Sequence, residues 1–199
     1  MLENIMDNRI KLIILGDLSV GKSCLIKRKC DHSFVSQYSS TIGIDFFTMP
    51  YTISGKEYKI NIWDTGGQEA FRTIIKSYFK GVDGVILAFD ITNYRSFANL
   101  DYWQKSLQEY DIDPVGVLVG CKSDLEKQRA VRREVAESYA DKLIYPYWEC
   151  SAVTGENIDT LFYHFIPECI EKKLNIKSEQ FQIDKQDQSK SKPICCAIS

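Results

Sequence analysis

Short apolar runs alternate with longer amphipathic stretches along most of this 199-residue chain. An unbroken apolar run such as Leu12–Leu15 is typical of a strand buried on both faces, whereas apolar residues three or four positions apart indicate a helix. The pattern predicts strands at residues 9–15, 42–53, 59–63, 85–89, 115–119 and 144–150. It predicts helices at residues 21–31, 70–80, 96–110, 131–142 and 157–174.

This alternation predicts an α/β fold, a six-stranded mixed and mostly parallel sheet with helices on both faces. The turn residues Ser54-Gly55-Lys56 predict one antiparallel hairpin. In such sheets a ligand lies at the carboxyl ends of the strands. Within the helix at 96–110, four apolar residues recur at helical spacing, which we interpret as core packing: Phe97, Leu100, Trp103 and Leu107.

The chain length predicts one main domain, residues 9–174, after a short N-terminal extension, residues 1–8. Residues 175–199 are polar without apolar periodicity, which predicts a disordered tail. A formal net charge of −2 gives no reason to expect nucleic acid as a partner. No signal peptide or membrane-spanning run is expected, and seven scattered cysteines fit reduced thiols in the cytosol.

Residues 16–23, Gly-Asp-Leu-Ser-Val-Gly-Lys-Ser, fit the phosphate-loop pattern G-x-x-x-x-G-K-S/T directly after a buried-type strand. The glycines let backbone N–H groups surround a phosphate, and the following helix adds its positive N-terminal end. Lys22 is then placed to reach the β- and γ-phosphates, and the Ser23 hydroxyl to ligate Mg²⁺. Three further polar segments follow predicted helices or strands, at residues 33–41, 64–69 and 120–124.

These segments and their order resemble the small GTPases of the Ras superfamily, and within it the Rab branch, over roughly residues 9–173. The five matching loops contain residues 16–23, Thr41, residues 64–68, Lys122 with Asp124, and Ser151-Ala152. Rab-like stretches occur at residues 42–46, 62–65, 77–81 and 89–92. The resemblance implies a phosphate-loop NTPase fold and a switch that hydrolyses GTP to GDP and phosphate and regulates vesicle traffic.

The resemblance implies GTP or GDP and Mg²⁺ as ligands, with Ser23, Thr41 and Asp64 on the metal. Lys22 and Gln68 would be catalytic, the lysine by offsetting charge and the glutamine by orienting the attacking water. Asp124 would accept both N–H donors of guanine, while Phe34 and Lys122 cover the base. The full nucleotide-binding set is Gly16, Asp17, Leu18, Ser19, Val20, Gly21, Lys22, Ser23, Cys24, Phe34, Tyr38, Thr41, Asp64, Gly67, Cys121, Lys122, Asp124, Leu125, Ser151, Ala152 and Val153.

An effector-facing surface is also implied, with Phe46, Trp63 and Tyr78 as the Rab aromatic triad; core packing is the alternative for these three rings. The whole surface comprises Ile42, Gly43, Ile44, Asp45, Phe46, Trp63 and Tyr78. By resemblance the partners are exchange factors, GTPase-activating proteins, effectors, a GDP-dissociation inhibitor and the prenylation machinery. The chain is expected to be a monomer that binds no nucleic acid.

Five positions near the proposed nucleotide site depart from the family pattern. Leu18 and Ser19 stand where small residues are usual, Gly66 replaces alanine, Cys121 replaces asparagine, and Val153 replaces lysine. We hypothesise that Leu18 crowds the γ-phosphate and slows hydrolysis. Two alternatives remain open, a nucleotide-binding scaffold with negligible turnover and an ATPase or phosphotransferase that shares the phosphate loop.

The chain ends in Cys195-Cys196-Ala197-Ile198-Ser199, a C-a-a-X pattern that resembles Rab tails with paired cysteines. Two lipids give stable attachment to a bilayer where one gives marginal attachment. Lipidation of Cys195 and Cys196 therefore predicts a protein found in the cytosol and on the cytoplasmic face of intracellular membranes.

Overall fold

A six-stranded sheet forms the centre of the computed structural model, which describes residues 8–31, 41, 43–66, 77–110 and 112–190, with side chains up to residue 176. The strand order is β2-β3-β1-β4-β5-β6, and only the β2–β3 pair is antiparallel. The predicted mixed, mostly parallel α/β sheet is confirmed. The strands are β1 (Arg9–Leu15), β2 (Ile44–Ile53), β3 (Lys56–Thr65), β4 (Gly84–Asp90), β5 (Val115–Cys121) and β6 (Tyr147–Cys150).

Helices cover both faces of the sheet because successive residues of each buried strand point to opposite sides. On one face Ile10, Leu12 and Ile14 of β1 pack in the same core cluster as Phe162. On the other face Ile13 and Leu15 pack in a cluster with Trp103. The helices are α1 (Lys22–Asp31), α2 (Tyr94–Ala98), α3 (Leu100–Gln108), α4 (Arg133–Leu143) and α5 (Ile158–Lys190), with a 3₁₀ segment at Ser123–Gln128.

The predicted hairpin turn is confirmed by its backbone angles. Ser54 and Gly55 both have positive φ, 51° and 73°, as a two-residue type I′ turn requires. Ten residue pairs, from Ile44 opposite Thr65 to Ile53 opposite Lys56, join β2 to β3. The hairpin therefore carries the residues before β2 and after β3 to the same edge of the sheet.

The helix predicted over residues 96–110 is in fact two helices that meet at Asn99. Asn99 has φ −78° and ψ −5°, and the next turn starts with a three-residue bond from Tyr102 N to Asn99 O. The strand predicted from residue 144 begins only at Tyr147. Ile144 ends α4 in the left-handed conformation, with φ 58°, and Pro146 has no N–H for a ladder bond.

Residues 175–190, for which the sequence predicts a disordered tail, continue the backbone of α5 as far as Lys190, and residues 191–199 lie outside the described residues. This segment contains three Lys and four Gln and lacks Gly and Pro, so it can extend an existing helix without a new nucleation step. Of the short helix predicted over 70–80, residues 70–76 lie outside the described residues, and residues 77–80 form turns. None of the described helices has the length and apolar character needed to span a bilayer.

The Glu149 carboxylate on β6 is 7% exposed and is held by the Arg129 guanidinium, with Nη2 to Oε2 at 2.8 Å and Nη1 to Oε1 at 2.9 Å. Burial raises the pKa of Glu149, but hydrogen bonds from Arg129 and Tyr147 outweigh it, so the pKa is lowered overall. Removing one partner of a buried ion pair leaves a charge without compensation.

We expect Arg129→Ala to lower the free energy of unfolding by about 3 kcal/mol at neutral pH. Denaturant unfolding measures the change. The matched control is Lys172→Ala, which breaks a 2.6 Å ion pair whose partner, Asp113, is 95% exposed, and should cost less than about 1 kcal/mol. Since the lowered pKa of Glu149 stabilises the fold only while the carboxylate is ionised, the difference between the variants should shrink as pH falls through that pKa. Equal losses in the two variants at neutral pH would contradict this account.

Candidate nucleotide-binding site

The phosphate loop joins β1 to α1 and lies close against neighbouring strands. Gly16 has φ 149°, and a Cβ at this position would lie 2.1 Å from the Ala88 carbonyl oxygen on β4. Gly21 has φ 115°, and a Cβ there would lie 3.4 Å from the Cys121 Cβ on β5. Glycine is therefore needed at Gly16 for lack of space and at both positions for backbone conformation.

The two residues between these glycines that depart from the family pattern are both exposed. Leu18 is 43% exposed and lines the cavity at the loop. Ser19 has φ 63°, in the left-handed region that glycine occupies at least cost. The structure thus gives a backbone reason why glycine would suit position 19. A serine there adds strain on the order of 1 kcal/mol to the loop.

Lys22, at the start of α1, is 4% exposed and folds back over the loop. Its Nζ donates to the Gly16 carbonyl over 2.8 Å and to the Asp17 carbonyl over 2.7 Å. Burial lowers the pKa of Lys22 to about 8, although Asp64 nearby opposes the shift. The ammonium group therefore sits inside the loop, where an anionic ligand would strengthen its charged form.

Three oxygen donors meet beside Lys22. The hydroxyls of Ser23 and Thr41 lie 2.9 Å apart in a buried contact. Both carboxylate oxygens of Asp64 are buried without a hydrogen-bond partner of good geometry, although the Ser23 hydroxyl is near enough to oppose part of its pKa shift. Burial raises the pKa of Asp64 to about 6. A buried carboxylate with two such oxygens, next to two hydroxyls, is a donor set that fits a hard divalent cation such as Mg²⁺.

The segments before β2 and after β3 are joined by one backbone bond, from Gly66 N to Gly43 O over 2.8 Å. A Cβ on Gly66 would lie 2.5 Å from the Thr41 carbonyl oxygen. The glycine that replaces the usual alanine therefore permits this close approach. The same close approach accompanies the contact between the Thr41 and Ser23 hydroxyls.

Two adjoining cavities follow the carboxyl edge of the sheet. One of about 180 Å³ lies at the phosphate loop and reaches Thr41 and Gly66. The other, of about 170 Å³, lies beside Asp124 and Ala152. The cavities share three lining residues, Gly21, Cys24 and Lys122. Together they form one elongated cleft with a phosphate end and a second end that we call the base end.

At the base end, the Asp124 carboxylate is oriented by the buried Ser151, whose Oγ donates to Oδ1 over 2.6 Å. The Thr154 N–H in turn donates to Ser151 Oγ. The carboxylate lines the cavity, where its oxygens can accept N–H groups. Leu125, Ala152 and the exposed Val153 complete the lining.

Cys121 lies under the phosphate loop, 4% exposed and in contact with Gly21. Burial raises the pKa of this thiol to about 12, so it is neutral at physiological pH. On the neighbouring strand Cys150 is its register partner and lines the same end of the cleft. At position 121, where the family usually has asparagine, the side chain is therefore a buried and neutral thiol.

Of the predicted aromatic triad, Phe46 is 55% exposed and meets the Trp63 ring edge-on, with centroids 4.9 Å apart. Trp63 and Tyr78 are half-buried and pack against the core cluster that contains Ile13. Core packing thus explains the partial burial of Trp63 and Tyr78, but it does not explain the exposed ring of Phe46. Asp45 is exposed next to Phe46, and Gly43 and Ile44 lead into β2.

Several predicted site residues lie outside the described residues: Phe34, Tyr38, Ile42, Gly67, Gln68, Cys195 and Cys196. Three residues with polar roles at the site were missed by sequence reasoning. Asp90 binds Lys122 Nζ at 2.5 Å, and Asn99 and Trp103 donate to Asp17. The position of Asp90 at the carboxyl end of a buried strand was a usable signal; the helical spacing of Trp103 indicated only packing.

The fold and the cleft together define a nucleotide-binding protein of the phosphate-loop class. The family model of the Ras family matches residues 11–171. The chain is 44% identical to the Ras-related protein RABD2a of Arabidopsis thaliana over 157 residues, which cover 78% of this chain and 77% of that protein. It is 44% identical to the GTP-binding protein YPTM1 of Zea mays over 81% of this chain and 78% of that protein. It is 41% identical to the GTP-binding protein ypt1 of Schizosaccharomyces pombe over 78% of this chain and 77% of that protein. The chain therefore belongs to the Ras family, and within it to the Rab-type small GTPases.

Proposed function

We propose that the cleft binds guanine nucleotide and hydrolyses GTP to GDP and phosphate, as a switch in vesicle traffic. The observation that carries the proposal is the buried contact between the Ser23 and Thr41 hydroxyls beside Asp64. It brings the phosphate loop, the segment before β2 and the end of β3 to one point. A ligand bound there is sensed by both segments at once.

At the phosphate end, Lys22 and the backbone N–H groups of the loop hold the phosphates. Ser23, Thr41 and Asp64 would hold Mg²⁺, which neutralises charge on the β- and γ-phosphate oxygens when it is bound. Gly67 is proposed to bond the γ-phosphate and Gln68 to orient the attacking water, both by family resemblance. Loss of the γ-phosphate would remove the contacts that hold the Thr41 and Gly66 segments in place.

At the base end, the Asp124 carboxylate is proposed to accept two N–H groups from guanine, with the Lys122 stem along the base. Adenine offers a different set of donors and acceptors, and a mispaired carboxylate loses its hydrogen bonds. Asp90 holds the Lys122 Nζ, so the stem is fixed from its far end. Guanine selectivity is therefore expected without an asparagine at position 121.

The nucleotide preference gives a direct test. Fluorescent GDP bound to the full chain should be displaced by GTP and not by the same concentration of ATP. Asp124→Asn should weaken GDP binding by about 10- to 100-fold, since an amide cannot accept both N–H donors. The control Asp113→Asn removes the same charge at an exposed position outside the cleft and should leave affinity unchanged. Equal displacement by ATP and GTP would refute the proposal.

A slow intrinsic rate is proposed from Leu18, which is exposed into the phosphate end of the cleft. We expect Leu18→Ser to raise the single-turnover rate of GTP cleavage several-fold by removing bulk near the γ-phosphate. The control Val153→Ser removes an exposed apolar side chain at the base end and should not change this rate. An unchanged rate in Leu18→Ser would show that the leucine does not limit hydrolysis.

Membrane attachment is proposed through lipids on Cys195 and Cys196, with regulators, effectors and prenylation machinery of the Rab type as partners. Changing both cysteines to serine should move the protein wholly to the soluble fraction of cells, because the lipids supply the apolar surface for binding. Cys30→Ser, in the body of the domain, should keep the wild-type distribution. Persistent membrane association of the double variant would contradict the proposal.

A further inference from the structure

Asp17, the second residue of the phosphate loop, carries a carboxylate whose two oxygens both accept hydrogen bonds from the α3 side of the domain. Asn99 Nδ2 donates to Oδ2 over 2.6 Å, and Trp103 Nε1 donates to Oδ1 over 3.2 Å. The donors lie 82 and 86 positions further along the chain. These two bonds therefore tie the loop to a helix that lies outside the phosphate site.

The same residue connects this tie to Lys22. The Asp17 carbonyl oxygen accepts a hydrogen bond from Lys22 Nζ over 2.7 Å, while its side chain is held by Asn99 and Trp103. Hydrogen bonds to both carboxylate oxygens limit the movement of Asp17. The helix contacts and Lys22 therefore meet at one residue of the loop.

The surroundings of both donors leave their N–H groups directed at Asp17. Asn99 lies at the break between α2 and α3, and its side chain makes no capping bond to α3, so the amide is directed to Asp17 instead. Trp103 is 1% exposed, and its indole N–H, the one polar hydrogen of the ring, points to the same carboxylate. Core packing explains the burial of the ring but not the direction of its donor.

Charge gives a reason for the arrangement. A free carboxylate in a loop that binds phosphate would repel the ligand, and the repulsion acts at short range in a partly buried site. With both oxygens bonded to neutral donors of the helix, the carboxylate is kept on the helix side of the loop. The loop N–H groups then remain free to face the phosphates.

We propose that Asn99 and Trp103 are positioning residues for the phosphate loop, acting through Asp17 on nucleotide retention and on the placement of Lys22. The inference rests on the proposed function, because it needs a nucleotide in the cleft. The residues touch the loop rather than the reacting atoms, so they are not catalytic residues. Their effect is expected in nucleotide dissociation first and in cleavage second.

An exchange of the two polar side chains tests the tie. Asn99→Asp places two carboxylates against each other and should speed dissociation of fluorescent GDP from the full chain at least about tenfold. Asp17→Asn should speed dissociation less than Asn99→Asp does, because the Asn99 amide can turn its oxygen toward the new donor. The double variant Asp17→Asn/Asn99→Asp restores one donor and one acceptor at the original spacing and should return close to the wild-type rate.

Two further variants separate positioning from stability. Trp103→Phe keeps an aromatic ring in the core but loses the donor, and should speed GDP dissociation several-fold. Asn93→Ala removes the side-chain cap of α2 and should lower thermal stability while leaving the dissociation rate within about twofold of wild type. Trp103→Phe also serves as the test if Asn99→Asp does not fold.

The outcomes are distinct. Two results would overturn the inference: a double variant that does not recover the wild-type rate, or wild-type dissociation rates in both Asn99→Asp and Trp103→Phe. In either case the proposed function would still stand, provided that the wild-type chain binds nucleotide. If Asn93→Ala loses stability and also releases GDP faster in proportion, the effect on dissociation comes from stability. That result would also overturn the inference. A wild-type chain that retains no fluorescent GDP would refute the proposed function and this inference with it.

Discussion

Close approach of backbone segments at the carboxyl edge of the sheet is the constraint on which the site depends. The phosphate loop lies against β4 at Gly16, where a Cβ would meet the Ala88 carbonyl at 2.1 Å. On the other side of Lys22, Gly66 lets the Thr41 segment approach just as closely. Because the loop N–H groups must converge on one phosphate, a shift of either segment by the width of a methyl group changes all their directions together. The glycines are thus required by the geometry of the ligand and not only by local turns.

The departure from the family pattern at Cys121 changes the contacts that support the phosphate loop. Cys121 contributes a neutral, buried thiol that packs on Gly21, where an amide would have formed polar bonds. The residue proposed to recognise the base, Asp124, is oriented by Ser151 and not by Cys121. On the helix side, the bonds from Asn99 and Trp103 to Asp17 hold the loop independently of β5. The phosphate loop can therefore keep a fixed conformation even though Cys121 forms weaker contacts with it than an asparagine would.

The sheet was predictable because strand periodicity and the hairpin turn are local signals, and β1, β4 and β5 occur where the apolar runs predicted them. The break at Asn99 was not predictable from the apolar pattern, because Phe97, Leu100, Trp103 and Leu107 keep helical spacing across it. The extension of α5 past residue 174 was missed for a different reason. Polar composition was taken to mean disorder, although Lys, Gln and Glu also continue a helix that has already formed. At the cleft, motif spacing identified Lys22, Asp64 and Asp124. The end of a buried strand also marked Asp90, but its bond to Lys122 joins residues 32 positions apart and has no local signal.

Binding and turnover place different demands on this cleft. In the proposed function, Lys22 and the loop N–H groups hold phosphates in both substrate and product, so they would support binding in either state. Hydrolysis would depend instead on the phosphate end of the cleft, which is lined by Leu18 and Gly66. Ser19 adds backbone strain at the same point, with φ 63°. The departures at Leu18, Ser19 and Gly66 all line this end of the cleft, whereas Asp124 lines the base end. Under the proposed function, these departures would act on the lifetime of the GTP state, while the choice of nucleotide would depend on the opposite end of the cleft.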